Sequence, residues 1–183
     1  APVVLLAAPQ KTQMITAGVQ HVFKTERASW LKVEGAISNR DLNTFSSRDQ
    51  SDDVGAGVFV RYALNEPVSD TSSSRQKDGL YVLFNYEYTQ RNFRFIERYR
   101  ELEFLRNWNL NNLSSTVDQH IPSLRLGWND ARWGRVAVGT DACLLPGTYQ
   151  GYRAVMQTDI STDGGYRMHG TGSYLQTSGL VGS

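Results

Sequence analysis

Cysteine is nearly absent. Cys143 stands alone among 183 residues, so the chain cannot form an internal disulfide and has no thiolate cluster of the zinc type. Lysine is scarce too, found only at Lys11, Lys24, Lys32 and Lys77, and arginine supplies the rest of the basic side. With 19 basic and 18 acidic residues the net charge is +1, which leaves no broad cationic footprint for nucleic acid. No stretch approaches the roughly 18 consecutive apolar residues of a membrane-crossing helix. There is no glycine-rich phosphate loop, and His21, His120 and His169 share no motif, so no cofactor is expected. The opening APVVLLAAPQ lacks a basic leader and is too short for a secretion signal, so the chain reads as mature protein or an excised piece of one.

What the sequence does have is alternation. Ile15, Ala17, Val19, His21 and Phe23 fall on one face of an extended segment and Met14, Thr16, Gly18, Gln20 and Val22 on the other, the period of two that marks a strand. After the charged link KTERA, residues 24–28, the pattern resumes with Leu31, Val33, Gly35 and Ile37. It returns over Val54–Leu64 and most clearly over Gly79–Gln90, where Leu80, Val82, Phe84, Tyr86 and Tyr88 share a side. Further segments run through Leu124–Trp128, Trp133–Asp141, Tyr149–Thr158 and Tyr166–Thr177, the last two joined through STDGG. About eight strands linked in order predict an all-β, antiparallel up-and-down meander: a single β domain over residues 1–183, closed as a barrel or forming a segment of a larger one.

Period two is shared by soluble sandwiches, lipocalin-like barrels and membrane barrels. A transmembrane barrel adds strands of about 9–11 residues, an apolar exterior with aromatics near its rims, a polar or glycine-bearing interior, and short turns at one end with longer loops at the other. The short links KTERA, Asp130-Ala131 and STDGG, against the long polar segments 38–53, 65–78 and 111–119, fit that expectation. The reading is an exported protein of the outer membrane or cell envelope, with lipid bilayer as its partner together with other envelope proteins or glycan. Its alternative is a soluble exported β-sandwich or barrel that binds glycan or protein through aromatic residues and loops.

The densest stretch is NFRFIERYRELEFLRNWNL, Asn92–Leu110, which carries arginines, glutamates and aromatics together. As a helix it has an apolar stripe; as a strand it sets arginines opposite glutamates, and a strand with a bend over 94–107 is the favoured expectation. This run, with DLNTFSSRDQSDDVGAGVFV (Asp41–Val60), resembles repeated-strand segments of large outer-membrane-associated β proteins of the Bacteroidota, over about Ala8–Leu110. The motifs that carry it are the Asp-Leu-Asn-Thr-Phe-Ser loop and Ile-Glu-Arg-Tyr-Arg followed by Glu-Phe. The resemblance implies a fragment of a larger exported barrel or surface assembly with a structural, transport or export role and no chemistry of its own, since a full member is several times longer.

Catalytic readings are weak. Glu97, Glu101 and Glu103 invite comparison with a glycosidase pair, yet the adjacent arginines favour ion pairing over proton donation. Asp159, Ser161 and Asp163 imitate the start of a calcium loop whose twelfth position is Gly170 where a glutamate is needed, so a hairpin turn explains them better. Cys143, beside Leu144 and Leu145, suits buried packing. The candidate binding residues are Trp108, Trp128 and Trp133, which with Trp30 suit a sugar-stacking platform, an interfacial belt or core, together with Arg98 and Arg100 of the central run.

Overall fold

The computed structural model describes residues 10–24, 28–42, 44–45, 52–66, 78–97, 99–100, 103–110, 117–162 and 164–179. Eight strands, β1 (Lys11–Phe23), β2 (Ser29–Asp41), β3 (Val54–Leu64), β4 (Gly79–Thr89), β5 (Gln119–Asp130), β6 (Gly134–Leu145), β7 (Tyr149–Ser161) and β8 (Arg167–Gly179), form one sheet in sequence order. Every neighbouring pair is antiparallel. The meander expected from alternation is therefore the observed fold. Among the described residues the sheet is open: β1 pairs only with β2 and β8 only with β7.

Register determines which side chains share a face, because directly paired residues point the same way. A row can be followed across all eight strands from Ala17 through Gly35, Val58, Tyr88, His120, Leu144 and Gln150 to Ser178. The parallel row from Phe23 passes Ser29, Leu64, Val82, Leu126, Val138 and Met156 and reaches Gly172, five residues short of Arg167, where β8 begins. The strands are thus staggered. A slip of five residues, or about 17 Å, over seven strand spacings totalling about 34 Å corresponds to a tilt of about 27°, in the same direction as, and approaching, the inclination of strands in barrels.

The face containing these rows has no Lys, Arg, Asp or Glu except at the strand ends, at Lys11, Asp41 and Asp130. It is apolar and uncovered, with Ile15 76%, Val19 67% and Tyr174 71% exposed and Val138, Met156 and Met168 also open. All the other strand charges lie on the opposite face, among them Lys32, Glu34, Arg61, Glu87, Arg125, Arg135, Asp141 and Arg153. That opposite face is the inner one, because the connection between β4 and β5 folds back across it. Its described residues, 90–97, 99–100, 103–110 and 117–118, contain one helical turn, α1 (Phe104–Asn107), and no strand. Among the described residues of 94–107, the expected bent strand is therefore replaced by irregular chain and a helical turn. Arg94, Arg100 and Arg106 on a wall strand would have to share a ladder; here the segment leaves the sheet and carries them to separate acceptors on the inner face and within itself.

Two other expectations shift. β5 begins at Gln119 and not near Ser123, and it runs through Pro122. The β5–β6 ladder has no pair at Ile121 or Pro122, as expected where proline offers no N–H. The links KTERA, 131–133 and 162–166 share one end of the sheet, yet the long segment 65–78 joins them there, and the longest connections, 42–53 and 90–118, lie at the other end with the short turn 146–148. Loop length is therefore not cleanly divided between ends.

The inner face is held by ionic clasps. Arg125 grips Asp141 with two bonds, Nη1–Oδ1 at 2.6 Å and Nη2–Oδ2 at 2.9 Å, while Arg153 donates to Asp141 Oδ2 from Nε at 2.9 Å and Nη2 at 2.7 Å. Asp141 is buried, so one carboxylate ties β5, β6 and β7 together with every bond charge-assisted. Removing one partner of a buried cluster strands the other charges, so Asp141→Asn should cost about 3 kcal/mol, the lower end of the usual range because both arginines keep some solvent. Asp159→Asn breaks only the exposed pair with His169 and should cost about 0–1 kcal/mol. Urea unfolding of both variants checks the contrast, and equal losses would refute it.

Candidate functional site

The crossing segment seats itself where the wall is smallest. Gly55 on β3 faces inward, and a Cβ there would come within 2.1 Å of the Phe93 backbone nitrogen, so only glycine lets the segment lie against the strand. The Arg94 N–H donates to Ser38 Oγ at 2.9 Å, and the Phe93 ring covers Gly57. Gln90 extends the β4 ladder: its N–H donates to Ala56 O at 2.9 Å and its side-chain oxygen accepts from Ala56 N at 3.0 Å.

The far end of the segment is anchored on β6 and β7. Trp108 and Leu110 are buried with Cys143, Leu145 and Tyr149, and Phe104, Ile121 and Leu175 pack around them. Tyr149 donates its hydroxyl to Trp108 O, and the Arg153 guanidinium lies 5.0 Å from the Trp108 ring centre. Between the two anchors Arg100 reaches Glu87 of β4 at 2.6 Å and stacks over Phe104 at 4.3 Å. One segment thus touches the inner face from β2 to β8.

A pocket of about 240 Å³ remains between the segment and β1–β4. Its roof is aromatic: Phe93 meets Phe95 edge-on at 4.9 Å, and Phe95 stacks on Tyr99 at 4.9 Å and 4°. Glu34, Phe59 and Glu87 line its floor, and Met14 and Thr16 its side toward the free β1 edge. The pocket offers flat aromatic faces beside carboxylates, a combination suited to a hydroxylated or cationic guest.

A second cluster lies toward the opposite end. Glu66 sits between Arg61, at 3.4 Å, and Arg135, at 3.9 Å, and these arginines stack over Trp30 and Tyr81 respectively. Asn129, 6% exposed, makes no hydrogen bond through either side-chain atom.

The structure disperses the residues singled out from sequence. Trp108 is buried where the crossing segment meets β6 and β7, Trp128 lies half exposed on the outer face, and Trp133 occupies the turn between β5 and β6. Trp30 is buried near the end of the sheet opposite the crossing segment. They form no common platform. Arg100 is a structural clasp to Glu87, and Arg98 lies outside the described residues, as do Glu101 and Asp163. Glu103 pairs with Arg106, and Glu97 is exposed. Sequence reading missed the Phe93–Phe95–Tyr99 stack and the seat at Ser38, Gly55 and Gly57. The aromatic spacing was visible, but its partner lay some forty residues upstream. No family model, curated protein or solved structure matches the chain.

Partial burial, followed by the Glu87 charge, raises the Tyr99 phenol above its ordinary value of 10.0, with Arg100 opposing and Glu34 adding to the rise. A raised value means the folded chain favours the neutral phenol. The stabilisation is therefore complete below pH 10 and is lost as pH rises from there through the folded value. Phenolate absorbance, read as the difference between the parent and Tyr99→Phe, should show late ionisation of Tyr99. Glu87→Gln should bring it earlier, and an unchanged midpoint would remove Glu87 as a cause.

Proposed function

We propose that this chain is a non-enzymatic wall segment of an outer-membrane β-barrel, carrying its own lumenal segment and serving a structural, transport or export role. The observation that carries the reading is the distribution of charge. Eight adjacent strands keep Lys, Arg, Asp and Glu off one face except at its ends. A soluble sandwich must cover such a face with a second layer, but the only described segment folded onto the sheet lies on the polar side.

Dimensions agree. Strands of 11–13 residues extend about 36–43 Å and, tilted by about 30°, span about 31–37 Å, enough for a hydrocarbon core of about 30 Å. Several outer-face aromatics lie toward the ends, with Tyr86, Tyr88, His120 and Tyr152 near one rim and Phe23 and Trp128 near the other, while Phe84 and Tyr174 lie mid-strand; rim positions are where ring and polar tip suit headgroups. Tyr86 Oη lies 2.8 Å from His120 Nδ1, pairing polar atoms that would otherwise meet lipid. The lumenal carboxylates Glu66, Glu87 and Asp141 are each held by arginine, which supports a role in closing and shaping a passage over proton donation.

Neighbouring residues with opposite orientation give the sharpest test. Met156 faces outward in the middle of β7 and Gln157 faces inward. Met156→Arg should cost about 2–4 kcal/mol when the protein is refolded into lipid vesicles, whereas Gln157→Arg should change stability by less than about 0.5 kcal/mol. The parent should require detergent or lipid to stay folded in solution. A compact, detergent-free monomer that tolerates both substitutions would overturn the membrane reading and favour the soluble binding module.

A further inference from the structure

The two free edges and the crossing segment together constrain how the wall is completed. β1 and β8 are each 13 residues long, and both faces of both strands are largely exposed. In lipid an unpaired strand edge is prohibitive, since each unsatisfied backbone group costs several kcal/mol. Both edges must therefore be paired, and the simplest pairing is β1 with β8.

That pairing conflicts with the contents of the lumen. Eight strands spaced about 4.8 Å apart and tilted about 30° enclose only about 15 Å between backbones, a width that inward side chains already fill. Here the chain from Phe93 to Leu110 crosses inside the wall from Gly55 on β3 to Tyr149 on β7 and includes a helical turn, and a helix with its side chains is about 10–12 Å thick. The large inward residues Arg61, Tyr81, Arg125 and Arg153 remain in place beside it. An eight-strand circle does not hold both. Sixteen strands at the same tilt enclose about 28 Å, which does.

We propose that a second copy of this chain completes the wall, β8 of each copy pairing with β1 of the other. The geometry suits an identical partner. The even strand count makes β1 and β8 antiparallel, so a copy rotated about the barrel axis continues the alternation, and a two-fold ring leaves no edge. The stagger already built into the sheet supplies the tilt that closure requires. The inner pocket is incomplete alone: its Met14 and Thr16 side opens at the β1 edge, where the partner's β8 would bring inward residues such as His169, Thr171 and Ser173. The inference rests on the membrane-wall reading but fails separately from it.

The test uses the full 183-residue chain in detergent and in lipid vesicles, with Cys143→Ser as background. Single cysteines are placed on the inner face of β1, at Met14, Thr16 or Gln20, or of β8, at His169, Thr171 or Ser173. Mixing a β1 variant with a β8 variant before refolding should give a disulfide-linked dimer for at least one combination, and light scattering should report twice the monomer mass in both media. Two variants from the same strand should not cross-link. Should a doubly substituted chain form its disulfide internally with monomer mass, or should a monomer show no cross-link in any combination, the proposal is wrong even though detergent dependence stands. Should the chain stay soluble without detergent, the membrane reading itself falls.

Discussion

The architecture depends on a constraint of the extended chain: successive side chains point to opposite sides, so a charge moved by one residue changes solvent. Arg125 and Asp141 meet because β5 and β6 place both on the same side at neighbouring rungs, and Arg153 joins them from β7. Had β7 slipped by one residue, Arg153 would face out and Met156 in, and Asp141 would keep one clasp where it now has two. The clasps and the apolar exterior are therefore one feature seen from two sides. Ion pairs that contribute little on a wetted surface hold register here, since the alternative for each arginine is the apolar face.

The crossing segment exploits what the inner face leaves open. Where β2 and β3 present Ser38, Gly55 and Gly57, backbone approaches backbone; where β6 and β7 present Cys143, Leu145 and Tyr149, the wall offers a greasy shelf to Trp108 and Leu110. Wall and segment are matched by size at one anchor and by hydrophobicity at the other. Arg100 joins them through Glu87 while its guanidinium covers Phe104. The dense mixture of arginine and aromatics in this run follows from that position, because the residues must satisfy carboxylates below and apolar neighbours beside them.

Much of this was readable from residue order alone, and the part that was not has a definite cause. The boundaries of β3 and β4 follow from alternation that begins and ends sharply, as between Val54 and Leu64. β5 was read too short because Pro122 and the polar residues before it look like loop, and only the β4 partner, with Tyr86 opposite Pro122, shows that the strand continues. The run 94–107 was misread because a strand and a segment lying across a sheet both present alternating charge. What separates them is Gly55, whose missing side chain carries no local signal of what rests on it. Trp108, Trp128 and Trp133 looked equivalent by type, but one residue in parity, or a place in a turn, sends each to a different environment.

The polar inner face also explains why the fold tolerates a buried amide without partners. Asn129 stands directly across from Arg135, whose guanidinium is drawn onto the Tyr81 ring at 3.7 Å and toward Glu66, and so away from the amide. In a dry hydrophobic core such an orphan costs about 1–3 kcal/mol and is selected against. On the inner face the Arg61, Glu66 and Arg135 cluster makes its setting more polar than a dry core. The chain places indole on the apolar face at Trp128 and amide on the charged face at Asn129, as the period of two requires.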